Sequence, residues 1–179
     1  EDVCKVIFNN QLNMPLGSLS LPVPLKPEYD KHLKLIELIE KPFWSITGLG
    51  AKDTLIPDAV TIDKVGPDFM FVISDAKYYT PVLIEKQVPR SQPGIESVTK
   101  QYLYQLAYQK FIQDHAFGSI INCFIMPTED DSVVNKGTVS MDILGGLGLA
   151  SIQVRLLPAA KAYDYYLSGR RMSVSELDL

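Results

Sequence analysis

The sequence predicts an α/β protein, a mixed sheet sandwiched between helices, and three observations carry that expectation. The segments Leu55 to Asp63 and Phe69 to Tyr79 read as strands joined by Lys64-Val65-Gly66-Pro67-Asp68, whose Gly-Pro marks a tight turn, so the pair forms a hairpin. The run Phe69-Met70-Phe71-Val72-Ile73 is apolar on both faces, as in a strand covered from two sides in the middle of a sheet. A long helical pattern from about Ile95 to about His115 then leads into another apolar strand, Ser119 to Met126, the alternation that places helices over a sheet.

Taken in chain order, Val3 to Phe8 reads as a short strand, and Leu21 to Pro27 is too rich in proline for helix or ladder and reads as an extended linker. On this reading residues 1–27 are an N-terminal extension and 28–179 the folded domain. From Glu28 to Lys41 the spacing of Leu33, Ile36 and Ile39 predicts a helix that Pro42 stops. Phe43 to Thr47 is a further strand candidate, ahead of the hairpin. Thr80 to Gly94 is a polar, proline-punctuated loop, and the stretch after Met126 a loop of acidic and small residues. Ser151 to Leu157 alternates Ile152, Val154 and Leu156 against Gln153 and Arg155, a half-buried strand, and Pro158 to Leu167 is a closing helix with Gly169 past its end. The expected core order is helix, three strands, helix, strand.

Length and composition bound what this core can belong to. A chain of 179 residues that is 46% hydrophobic can bury a proper core as one domain, or one domain with an extension. Apolar stretches such as Gly118 to Met126 are too short to span a bilayer, and no charged-then-apolar leader opens the chain, so the expected location is the cytoplasm with no membrane contact. Its first residue is Glu1, which points to a piece of something longer. Two cysteines, Cys4 and Cys123, make no disulfide framework. Net charge is −4, against phosphate-backbone binding on average, yet acids gathered around a metal ion would account for part of that sum, and Lys77, Lys86, Arg90, Lys100 and Lys110 bracket the central region.

The candidate chemistry lies on the hairpin. Asp75 and Lys77 are two apart on one strand and point to the same face, and pairing the hairpin strands brings Asp58, after Pro57, beside Asp75. Two carboxylates so close repel unless a cation sits between them. Two carboxylates, a backbone carbonyl at Ala76, waters and a phosphate oxygen make an all-oxygen site that suits Mg²⁺, with Mn²⁺ as a substitute. Lys77 beside it would stabilise hydroxide and developing charge, so the reading is metal-assisted phosphodiester hydrolysis. The plain alternative is a surface ion pair of Asp75 with Lys77.

On the long helix, Ile95, Tyr102, Leu103 and Leu106 fall to one side and Gln101, Tyr104, Gln105 and Tyr108 to nearly the opposite side. The second stripe suits a face turned to a site or a nucleic-acid backbone, with Lys100 and Gln101 the candidates to touch a scissile phosphate or brace Lys77. A helix packed on two sides with its tyrosines tucked in accounts for the same pattern. Glu40 falls within the apolar stripe of the first helix, which makes it a further candidate ligand to metal or water ahead of Glu37, or a snorkelling residue at a fraying end. His32 and His115 stand too far apart for a histidine-based site, and Gly145-Gly146-Leu147-Gly148 and Gly48-Leu49-Gly50-Ala51-Lys52 lack a full phosphate-loop pattern.

Together, Pro57-Asp58, Asp75-Ala76-Lys77 and the Gln/Tyr helix resemble the PD-(D/E)XK nuclease superfamily. Asp75-Ala76-Lys77-Tyr78-Tyr79 followed by Lys100-Gln101-Tyr102-Leu103-Tyr104-Gln105-Leu106-Ala107-Tyr108 resembles the LlaJI-type restriction endonucleases and, more distantly, the McrC-type nuclease subunits. The similarity covers about Glu28 to Met126. It implies a restriction-endonuclease-like core, with Asp58 and Asp75 as metal ligands, Lys77 as the catalytic lysine and Glu40 as the upstream acid. Many relatives carry Gln-x-x-x-Tyr on the helix, whereas here Gln105 stands four after Gln101, and Tyr108 three after Gln105. The resemblance also implies cleavage of double-stranded DNA within a restriction system, as a homodimer or beside a McrB-like nucleotide-driven subunit. The rival expectation is a catalytically silent module of the same fold that binds nucleic acid or a partner protein.

Overall fold

The structure is a computed structural model that describes all residues from Glu1 to Leu179. Its elements are α1 (Asp2–Ile7), β1 (Phe43–Trp44), β2 (Leu49–Gly50), β3 (Ala59–Val65), β4 (Asp68–Ala76), α2 (Ile95–Asp114), β5 (Ser119–Thr128), β6 (Val134–Val139), α3 (Asp142–Gly145), β7 (Ile152–Pro158) and α4 (Ala159–Leu167), with three short 3₁₀ turns. Five strands form one mixed sheet in the order β3-β4-β5-β7-β6, while β1 and β2 form a separate two-stranded hairpin. The expected α/β architecture is therefore present, with helices on both faces.

The β3–β4 hairpin closes at Val65 and Asp68, leaving Gly66 and Pro67 as the two turn residues. Gly66 has φ +63°, which a residue with a side chain rarely adopts, and the ring of Pro67 fixes the negative φ that follows, so the turn matches the twist of its strands. β4, β5 and β7 then run parallel, and α2 is the crossover between the first two.

Side-chain parity sorts the core. On the α2 side lie Val60 and Ile62 of β3 and Phe71 and Ile73 of β4, packed with Tyr104, Tyr108, Phe111 and Ile112 of α2. Next to them Phe124, Ile152 and Val154 pack on Val98 and Tyr102. On the other side Val72, Cys123, Ile125 and Leu157 meet Ile7 and Phe8 near α1, Ala162 of α4, and Met172, Val174 and Leu177 of the final segment. Cys123 is buried there as a free thiol.

Several expectations for individual elements fail, each for a tertiary reason. Val3 to Phe8 lies mostly in a helix, α1, packed on α4. No α-helix spans Glu28 to Lys41; one 3₁₀ turn, Leu35–Leu38, stands there. The backbone of this segment instead bonds back to an earlier loop, through Leu16 N to Leu33 O, Gly17 N to Lys31 O, Leu35 N to Met14 O and Ile36 N to Leu12 O. Those four bonds occupy the groups a helix would use. Gly17 permits the approach, because a Cβ at that position would lie 2.9 Å from the Lys31 Cβ.

β6, in the stretch expected to be loop, is an edge strand paired with β7. Arg155, read as part of a solvent face, is buried beneath the C-terminal segment, where its guanidinium donates to the carbonyls of Leu177 and Asp178. Alternation on β7 therefore marks two buried faces, not one.

Candidate active site

The hairpin register aligns the two acids. Ala59 pairs with Ser74, so Asp58 stands one step beyond, opposite Asp75. By parity Asp58 follows Val60 and Ile62, and Asp75 follows Phe71 and Ile73, which places both carboxylates on the α2 side of the sheet. Pro57 and Asp58 precede the ladder, which begins at Ala59, as expected where proline cannot donate.

Asp75 is 6% exposed, and its Oδ2 lies 2.6 Å from the Lys77 Nζ. Asp58 accepts a 2.8 Å bond from the Ala76 amide through Oδ2. Burial, reinforced by the charge of Asp75 and a hydrogen bond with it, pushes the Asp58 carboxyl up from 3.8 to about 6. The two groups are thus close enough to compete for ionisation. No third Asp, Glu, His or Cys joins them in a metal-binding cluster. The donors that could hold a cation at this point are Asp58, Asp75 and main-chain oxygen, all hard ligands, and a positive charge between the acids would offset the penalty that lifts Asp58.

The surroundings hold this arrangement in place. The Asn10 amide donates to Asp58 O at 3.3 Å, while its Oδ1 accepts from the amides of Val60 and Leu12 at 3.1 Å each. The Tyr104 hydroxyl donates to Ile56 O at 3.0 Å; desolvation, helped by the charges of Asp75 and Asp58, raises this phenol to about 12, so it stays neutral. Gln101, fully buried, donates from Nε2 to Ile73 O at 2.9 Å, two residues ahead of Asp75. Its Oε1 is buried with no protein partner. The Gln/Tyr stripe of α2 is thus the face packed on the sheet, with Gln105 accepting from Asn122 at 2.6 Å, and Leu103 and Leu106 face outward.

The structure does not bring every candidate together. Glu40 follows the 3₁₀ turn, is exposed, and accepts a 2.6 Å bond from the Thr54 hydroxyl through its main-chain oxygen. It is not part of the carboxylate pair. Of the bracketing cations, Lys100 pairs with Glu96, Lys110 with Asp114 and Lys86 with Glu85. Asn10 was not foreseen from sequence; a lone Asn 48 residues ahead of Asp58 carries no local signal.

The fold and this carboxylate hairpin define a restriction-endonuclease-like α/β core. Residues 26–162 match the model of the LlaJI restriction endonuclease family, and the chain belongs to that family. A relative from Bacillus subtilis (strain 168), the type II restriction enzyme BsuMI component YdjA, is 28% identical over 179 residues, 99% of this chain and 33% of the relative. This chain spans about a third of that protein's length. No solved structure matches. No helix is long and apolar enough to cross a membrane.

Proposed function

We propose that this chain is the cleavage domain of a Mg²⁺-dependent endodeoxyribonuclease of the PD-(D/E)XK type, acting on double-stranded DNA in a restriction system. The observation that carries the reading is the facing pair Asp58 and Asp75 on the α2 side, with Lys77 2.6 Å from Asp75. Family membership supports the substrate class.

Asp58, Asp75 and the Ala76 carbonyl would hold the ion, which when bound supplies Lewis acidity toward a phosphoryl oxygen and an incoming water. The residues of the chain do the rest. Lys77 presents an ammonium, about a quarter exposed, with protons left over from its bond to Asp75, placed to stabilise charge that builds on phosphate oxygens as the phosphorus–oxygen bond breaks. The Ala76 amide fixes the Asp58 rotamer, and Gln101 and Tyr104 clamp the backbone of β4 and of the Ile56 segment, so both acids are oriented before substrate arrives. One such centre cuts one strand. Scission of both strands requires a second copy or a second encounter, and a nucleotide-driven partner subunit of the McrB kind fits the same scheme.

Nicking of supercoiled plasmid tests this reading, with Mg²⁺, Mn²⁺ and a chelator, for the wild type, Asp75→Ala and Lys77→Ala. Metal-dependent nicking lost in both variants is expected; equal background in all three would remove the enzyme. The silent-module reading draws on one observation, that the Lys77 ammonium by itself pairs with Asp75. On that reading all three proteins bind DNA or a partner and none cuts.

A further inference from the structure

The segment between Glu40 and Thr54 is an arm built for contact. Its two strands are two residues each and belong to no other sheet. Such a ribbon has no core of its own, yet its tip is firmly fixed. Thr47 and Gly48 both donate main-chain N–H to Trp44 O, at 3.1 and 3.0 Å, and the Thr47 hydroxyl donates to the same oxygen at 3.0 Å. Gly48, at φ +67°, lets the chain reverse. At the base, Ala51 N donates to Pro42 O, and the Thr54 hydroxyl to Glu40 O at 2.6 Å.

What this frame displays is apolar. Ile46 at the tip is 99% exposed, and Phe43, Trp44 and Leu49 are 64% exposed or more. Trp44 and Leu49 are cross-strand partners and share a face. An exposed cluster of this kind on a preset turn signals a partner.

Position and composition identify the partner. Residues 42–51 carry no charge, and Lys41 and Lys52 stand at the base of the arm, each next to an acid, Glu40 and Asp53. Asp58 stands four positions beyond Thr54 at the arm's base, a reach of at most about 14 Å, or roughly four base-pair steps of duplex. An apolar tip above two lysines, beside a phosphodiester-cleaving site, matches the side chains that wedge into a base step from the minor groove while cations hold the flanking phosphates.

We propose that the Phe43 to Gly50 arm is a DNA-contacting wedge, with Trp44 and Ile46 entering or stacking on a base step of double-stranded DNA and Lys41 and Lys52 on the adjoining phosphates. The inference rests on the nuclease reading for its substrate. Trp44 is the sole tryptophan of the chain, so it reports directly on its own surroundings.

The experiment titrates a duplex of about 20 base pairs into the protein with Ca²⁺ or chelator present, following DNA anisotropy and tryptophan emission together, for the wild type, the double variant Trp44→Ala/Ile46→Ala, and Lys41→Ala/Lys52→Ala. Expected are quenching of Trp44 emission in step with binding; a tenfold or greater loss of affinity in the tip variant; and a shallower salt dependence in the lysine variant. Thermal melting of the tip variant should match the wild type, because these side chains are solvent-exposed. Binding of normal strength with no change in Trp44 emission overturns the wedge and leaves the nuclease standing, as does a tip variant that binds DNA normally but loses a co-purifying protein. Absence of any DNA binding or cleavage by the wild type overturns both.

Discussion

Replacing Asp58 by Asn separates the tension of the site from its chemistry. In the metal-free protein the folded state holds the Asp58 proton up to about pH 6, whereas the unfolded chain releases it near 3.8. A carboxyl raised in this way contributes stability that is fully present below pH 3.8 and lost as pH climbs through about 6, because above that the fold must carry a charge beside Asp75. A shift of this size, at about 1.4 kcal/mol per unit, sets a ceiling near 3 kcal/mol. Asp58 is only partly buried, and solvent screening brings the expected effect to about 1 to 1.5 kcal/mol. Asn removes that charge and keeps an oxygen for the Ala76 amide. In chelator at pH 8, Asp58→Asn should therefore melt about 2 to 6 °C above the wild type, and the gap should close by about pH 3, below the unfolded pKa. Cleavage should fall to background, and the rise in melting temperature that Mg²⁺ gives the wild type at pH 8 should vanish. Scanning calorimetry at the two pH values decides the matter. A variant no more stable than wild type at pH 8, or one stabilised equally at both pH values, would refute the idea that the two acids strain each other.

Further outcomes follow from other contacts. Gln101→Leu removes the donor to Ile73 O from a fully buried position and should lower stability by about 1 to 3 kcal/mol in urea denaturation, with cleavage falling more than DNA binding because β4 loses a clamp beside Asp75. Arg155→Met strips the carbonyls of Leu177 and Asp178 of their buried donor and should cost about 3 kcal/mol, with faster proteolysis of the C-terminal segment as the readout. Glu40→Gln leaves the main-chain bond to Thr54 intact, so plasmid nicking should stay within about twofold of wild type; a large loss would return Glu40 to the ligand set. Asp114, held well below the usual carboxylate range first by Lys110 and then by Lys26 and Tyr29, contributes stability present above the normal carboxylate range and lost in acid; Asp114→Asn should melt lower than wild type at pH 7 and approach it near pH 2.

How far the chain announces this architecture depends on where its information lies. The β3–β4 hairpin, α2, β5 and β7 are each specified by local pattern: a Gly-Pro turn, an unbroken apolar run, a twenty-residue helix between turn signals. The facing acids follow from hairpin parity alone, since a register fixed by the turn carries Asp58 to Asp75. The segment from Glu28 to Lys41 fails because its three apolar residues at helical spacing contend with Leu12, Met14 and Gly17, which claim its backbone from a distance no window of sequence spans. Glu40 lost its expected place with that helix. The Gln/Tyr stripe of α2 misleads in a more instructive way. Polar residues usually mark the solvent side, but Gln101 satisfies a main-chain carbonyl of the central strand and Gln105 the Asn122 amide, so the polar face is the buried one and Leu103 and Leu106 are left outside. A buried amide that braces the strand bearing Asp75, with one acceptor still unpartnered, differs from ordinary core packing: it stiffens the element on which the chemistry depends while costing stability at one atom. Polarity inside the sheet, set against apolarity on the arm at Trp44 and Ile46, inverts the usual division of residues beside the carboxylate pair and at the exposed hairpin.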